Sequence, residues 1–122
     1  MAHDLIRLMQ SLFPPAFETV REAIWRPSTD VYRTRTGWLV KFDLAGVRPE
    51  DFELRISGSR LTVRGMRRDW CREEGCRYYL MEISYSHFER SIELPCNLER
   101  ARIETELRHG LLVVRIQTEA NE

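Results

Sequence analysis

Net charge is the first thing this sequence lacks. Its 19 basic and 19 acidic residues cancel, so no bulk electrostatic attraction draws it to nucleic acid or to an anionic membrane surface. Lysine is nearly missing as well: Lys41 stands alone and every other basic residue is arginine. Arginine suits bidentate pairing with carboxylates, though an arginine-rich codon usage leaves the same mark. Cysteine is sparse and odd in number. Cys71, Cys76 and Cys96 fit no secreted disulfide framework, which points to a reducing, cytoplasmic setting. Cys71-x-x-x-x-Cys76 is neither a redox nor a zinc spacing, so no metal is expected. No apolar run approaches the length of a membrane span, and no apolar segment with a small-residue cleavage site opens the chain, so neither a span nor a signal peptide is expected. Catalytic signatures are missing too. There is no Gly-rich phosphate loop, Gly-x-Ser-x-Gly elbow or His-Glu-x-x-His, and neither an enzyme nor a cofactor is expected.

What remains is a globular composition. Hydrophobic content of 43% with 31% charge is ordinary for a folded domain, and 122 residues suffice for one core without disulfide staples. Residues 1–26 carry the helical signal. Leu5, Ile6, Leu8, Met9, Leu12 and Phe13 recur at helical spacing, Pro14-Pro15 interrupts, and Phe17, Val20, Ile24 and Trp25 resume it. Both pieces are too short to be stable alone in water, so this amphipathic arm must dock on its own domain or on another chain.

From Ser28 the pattern changes to period two. Asp30–Thr34 and Trp38–Asp43 flank a hairpin turn, and Pro49-Glu50-Asp51 suits one helical turn inside a connector. Phe52–Ile56 alternates, Ser57-Gly58-Ser59 turns, and Leu61–Gly65 returns with Leu61 and Val63 inward. A polar insertion from Met66 to Tyr78 follows, in which Asp69, Glu73 and Glu74 interleave with arginines, as a solvated, ion-paired loop does. Tyr78–Glu82 has strand character, and Phe88–Leu94 is a strand stopped by Pro95. The closing hairpin puts Ile103, Thr105 and Leu107 on one face of its first arm. His109-Gly110 turns it, and Leu111–Ile116 is apolar on both faces. Seven or eight short strands at this spacing predict an all-β antiparallel sandwich.

The order of these fragments resembles the small heat-shock proteins. The match lies in Leu44-Ala-Gly46 followed by Pro49-Glu50-Asp51, Leu61-Thr-Val-Arg-Gly65, a charged loop, Phe88-x-Arg90-x-x-x-Leu94-Pro95 and His109-Gly-Leu-Leu112. It covers the alpha-crystallin domain, assigned to residues 27–116, with 66–86 as a dimerisation loop and 117–122 as a short polar tail. The resemblance implies an immunoglobulin-like β-sandwich, no cofactor and ATP-independent capture of unfolding proteins. It also implies a homodimer in which Tyr78, Tyr79, Leu80, Met81 and Glu82 form a strand swapped onto a second subunit, with Glu82 near the partner's Arg90.

Client capture is then expected from two surfaces. One is the arm, through Leu5, Ile6, Leu8, Met9, Leu12, Phe13, Phe17 and Trp25. The other is a groove between the Phe52–Ile56 strand and the final hairpin, with Leu54, Ile56, Leu107, Leu111 and Val113 as candidates, each of which is equally suited to plain core. Residues 117–122 hold no Ile-x-Ile pair of the kind that fills this groove in the family. A dimer, or a higher oligomer held by the arm, is therefore expected rather than a cage built by tails. The competing reading from another class is an adaptor: the same sandwich serving as a co-chaperone that binds one folded partner.

Overall fold

The computed structural model describes residues 25–70 and 73–118. Most of the expected arm (Leu5 to Phe17), Cys71 and the last four residues lie outside the described residues. Seven strands form two antiparallel sheets. Strands β1 (Thr29–Arg33), β2 (Gly37–Asp43), β6 (Arg102–Arg108) and β7 (Leu111–Gln117) make one sheet in the order β1-β2-β7-β6. Strands β3 (Phe52–Ser57), β4 (Arg60–Met66) and β5 (His87–Glu93) make the other in sequence order. The expected all-β sandwich is what forms.

Alternation explains which side chains fill the space between the sheets, because successive residues of a strand face opposite ways. Val40 and Phe42 on β2 stand opposite Val114 and Leu112 on β7, and all four are buried. From the other sheet come Leu61, Val63 and Phe88, each essentially sealed from solvent. Leu44, Val47, Leu94 and Leu98 close the core from the connectors.

Turn chemistry sets the registers. His109 (φ 54°) and Gly110 (φ 81°) both adopt the left-handed conformation, the two-residue hairpin geometry that matches strand twist. Pro49–Asp51 forms the expected single 3-10 turn, with proline near its start, where no N–H is needed. A second 3-10 turn, Leu98–Arg100, is capped by Asn97, whose side-chain oxygen accepts from the Glu99 N–H at 3.0 Å. Gly65 is required for a different reason. A Cβ there would collide with the Asp51 carbonyl oxygen and lie 2.8 Å from both Phe52 Cα and Phe88 Cζ.

One expected strand does not form. Tyr78–Glu82 is irregular, and Tyr79 (93%) and Leu80 (72%) are largely exposed. A strand exists only where its backbone groups find a neighbouring ladder. Among the described residues no ladder is formed for this segment.

Candidate functional site: two sides of the sandwich

Four strands end a sheet, and they meet in pairs on opposite sides. On one side β3 and β6 face each other and are tied by the Leu98–Arg100 turn: Leu98 N–H donates to Gly58 O at 2.9 Å, and Gly58 N–H donates to Glu99 Oε2 at 3.0 Å. Leu54 and Ile56 of β3, with Ile103 and Leu107 of β6, are half-buried against the core. They form an aliphatic strip between two strand edges that have no partner among the described strands. Thr105 is exposed between Ile103 and Leu107 and interrupts the strip with a hydroxyl.

Two groove candidates do not belong there. Leu112, Val114 and Ile116 occupy the inner face of β7, so the period of two sends Leu111 and Val113 to the outer face of the four-stranded sheet. There Val113 stands between Lys41 and Glu106 in a cross-strand row and is only 8% exposed, whereas Leu111 is 36% exposed. Ile103 takes their place in the groove. Its alternation with Thr105 and Leu107 was the signal that could have found it.

The opposite side, where β1 and β5 lie, is filled. Trp25 forms a parallel bridge with Phe88. Its N–H donates to His87 O, and its carbonyl accepts from Glu89 N–H, both at 3.3 Å. The indole packs on the Phe88 ring at 5.1 Å and donates to Ser86 O at 3.2 Å. Trp25, expected in the client-binding set, is therefore built into the sandwich edge. Beside it, Arg90 points inward from β5, donating through Nη1 to Pro27 O at 3.3 Å. Its Nε is buried and has no partner among the described residues, a costly state for a charged group. The outer edge of β1, unpaired among the described strands, borders this site, with Val31 and Tyr32 about four-tenths exposed.

The loop between β4 and β5 is moored at both ends to the Leu44–Arg48 connector. Trp70 Nε1 donates to Gly46 O at 3.0 Å, under the Arg48 guanidinium 3.2 Å from the ring centroid. Arg67 holds the returning leg, donating to Ser84 O at 2.8 Å and Ala45 O at 3.1 Å. Between these moorings Tyr78, Tyr79, Leu80 and Ile83 are exposed, Met81 is half-buried and Glu82 is exposed. Cys76 is exposed in the same loop, and Cys96 is half-buried beside Pro95.

The outer face of the three-stranded sheet is ion-paired. Arg64 Nε lies 2.7 Å from Glu53 Oε1, and Arg60 Nε 2.9 Å from Glu93 Oε1. The hydrogen bond from Arg64 holds the Glu53 carboxyl below its ordinary value, and bonds from Ser59 and then Arg60 do the same for Glu93. A cleft of about 570 Å³ bordering this face is lined by Glu50, Asp51, Glu53, Arg64, Arg68 and His87 among others. Within it Arg64 and Arg68 engage Glu53 and Asp51. No group of acids, cysteines and histidines among the described residues is arranged to hold a metal. None of the described helices is long and apolar enough to cross a membrane.

Two facing sheets with this strand order and this loop define an alpha-crystallin-type sandwich. The family model for Hsp20/alpha crystallin matches residues 30–122, and the chain belongs to that family. It is 30% identical over 104 residues to small heat shock protein C2 of Rickettsia felis, covering 85% of this chain and 66% of that protein. It is 33% identical over 101 residues to spore protein SP21 of Stigmatella aurantiaca, covering 83% and 55%. The chain thus spans just under two thirds of the first relative and about half of the second. Among solved structures, heat shock protein 16.0 from Schizosaccharomyces pombe superposes with a TM-score of 0.72 at 25% identity, covering 80% of this chain and 91% of that one. The hspA protein of Xanthomonas axonopodis gives 0.66 at 28% identity, covering 80% and 98%.

Proposed function

We propose that this protein is an ATP-independent holdase of the cytoplasm that captures unfolding proteins through apolar surface before they aggregate. The observation that carries the reading is the strip of Leu54, Ile56, Ile103 and Leu107 between the edges of β3 and β6. An unfolding client offers apolar side chains and unpaired backbone together, and two strand edges flanking an aliphatic floor accept both. Leu5, Ile6, Leu8, Met9, Leu12, Phe13 and Phe17 of the arm supply a second apolar surface in this reading.

The working unit is a homodimer. The Tyr78–Glu82 segment of one copy adds as a strand to the β1 edge of the other, which is unpaired among the described strands, and its Glu82 carboxylate meets the half-buried Arg90 guanidinium beside Pro27. The unpartnered Arg90 Nε and the exposed apolar residues of the loop support this arrangement. The test is light scattering from a heat-unfolding protein without nucleotide. Suppression at near-stoichiometric ratios, lost in the Leu54→Ser/Leu107→Ser double variant, is expected. Tight binding to one native protein without suppression would replace the holdase by the adaptor. Deletion of residues 68–84 is expected to yield monomers in sedimentation; an unchanged dimer would end the swapped-strand reading.

A further inference from the structure

We infer that Arg67 couples the exit of the N-terminal arm to the loop between β4 and β5, so that the two are released together. Arg67 is the first residue beyond β4, and four contacts converge on it. Its backbone N–H donates to Ser86 O at 3.0 Å, which closes the base of the loop. Its guanidinium donates to Ser84 O at 2.8 Å and to Ala45 O at 3.1 Å, joining the returning leg to the connector. The same guanidinium lies 4.1 Å from the centroid of the Trp25 ring, and that indole donates to Ser86 O. Ser86 O therefore receives one donor from the loop base and one from the arm.

The arrangement makes Trp25 and Arg67 each part of the other's support. The guanidinium is anchored by two carbonyls within cation–π range of the indole. The indole in turn offers its ring to that guanidinium while its own N–H is spent on Ser86 O. Losing the indole leaves Ser86 O with the Arg67 N–H alone and takes away the ring beside the guanidinium, whereas losing the Arg67 side chain leaves Ser84 O and Ala45 O without these donors and the indole without its cation. Linkage requires the effect to be reciprocal: whatever the arm does to the loop, the loop does to the arm. A pull on the arm at Trp25 is thereby transmitted to the segment that presents Tyr78–Ile83. These contacts lie within one chain, so the coupling stands or falls separately from the swapped-dimer reading.

Hydrogen exchange on the full chain tests it, because each side has an amide reporting on the other. The Arg67 amide bonds Ser86 O, and the Glu89 amide bonds Trp25 O. Trp25→Leu is expected to speed exchange of the residue-67 amide about tenfold, and Arg67→Met to speed exchange of Glu89 by a similar factor. The double variant is expected to add little to either single change. Arg33→Met removes another guanidinium–indole stack, over Trp38 at 4.9 Å, and is expected to change neither amide. Effects confined to each substituted residue's own contacts, or effects that multiply in the double variant, would overturn the coupling. Trp25→Phe and Arg67→Lys give the same reading if the first pair lowers the melting point too far.

Discussion

The two sides of the sandwich start from the same problem, a pair of strand edges, and reach opposite solutions. On the β1/β5 side the chain supplies its own cover: Trp25 pairs with β5, Pro27 is buried, and Arg90 reaches across to it. On the β3/β6 side, among the described residues, only the Leu98–Arg100 turn bridges the edges, and the aliphatic strip stays half-open. Covered edges hold a domain together and resist unwanted pairing, whereas an uncovered one with an apolar floor is a place to bind. In the proposed reading the β3/β6 side is left to clients, while the β1/β5 side holds the fold together and keeps only its β1 edge for the second copy.

Substitutions on the two sides should therefore differ in kind. Phe88→Ala removes a ring that is 1% exposed and in contact with Trp25. It is expected to cost about 3–5 kcal/mol in denaturant unfolding. A cost below 1 kcal/mol would mean that the covered side is not structural. Gly65→Ala adds one methyl where the Asp51 carbonyl and Phe52 leave no room, with an expected cost of about 2 kcal/mol. Leu107→Ala, on the open side, is half-buried and should cost only about 1 kcal/mol. It should nonetheless weaken aggregation suppression more than Gly65→Ala does at a temperature where both variants are folded. If the order of the last two in the suppression assay reverses, the division between the sides fails.

The smallest expected effect is on pH dependence. Hydrogen bonds from Arg64 and from Ser59 lower the folded pKa values of Glu53 and Glu93. A lowered carboxylate contributes stability that is fully present above the ordinary value of about 4.3 and is lost as pH falls through the folded value. Both groups are exposed, so the contribution is modest and screened by salt. Melting curves of Glu93→Gln and the parent chain should converge as the solution is acidified below that range. A gap between them that widened with acid would contradict the assignment.

The sequence was most readable where the causes are local. Alternation placed Leu61 and Val63 inward, Pro49-Glu50-Asp51 marked its turn, and His109-Gly110 announced a hairpin with two positive φ angles. Legibility ended where a residue's role depends on a distant one. Trp25 has the same helical spacing as the arm before it, but its partners Ser86 and Phe88 lie more than sixty residues away. Leu111 and Val113 were ambiguous because β7 is apolar on both faces, and only the cross-strand register shows which face meets the other sheet. Tyr78–Glu82 has strand composition, yet composition cannot supply a neighbour. Arg67 resembled any other charge in a solvated loop until Trp25, Ala45 and Ser84 were seen around it.

Pro27 sets a limit that reaches beyond its own burial. After Trp25, the next residue of a parallel ladder that could donate to β5 is Pro27, and proline has no N–H to give. The arm can therefore use only the first part of the β5 edge, however its sequence changes upstream. Its carbonyl is occupied instead, accepting from Thr29 Oγ1 at 3.0 Å and from Arg90. One imino acid thus rations the edge, ending the arm's claim at a fixed point and directing the chain across the gap into the second sheet.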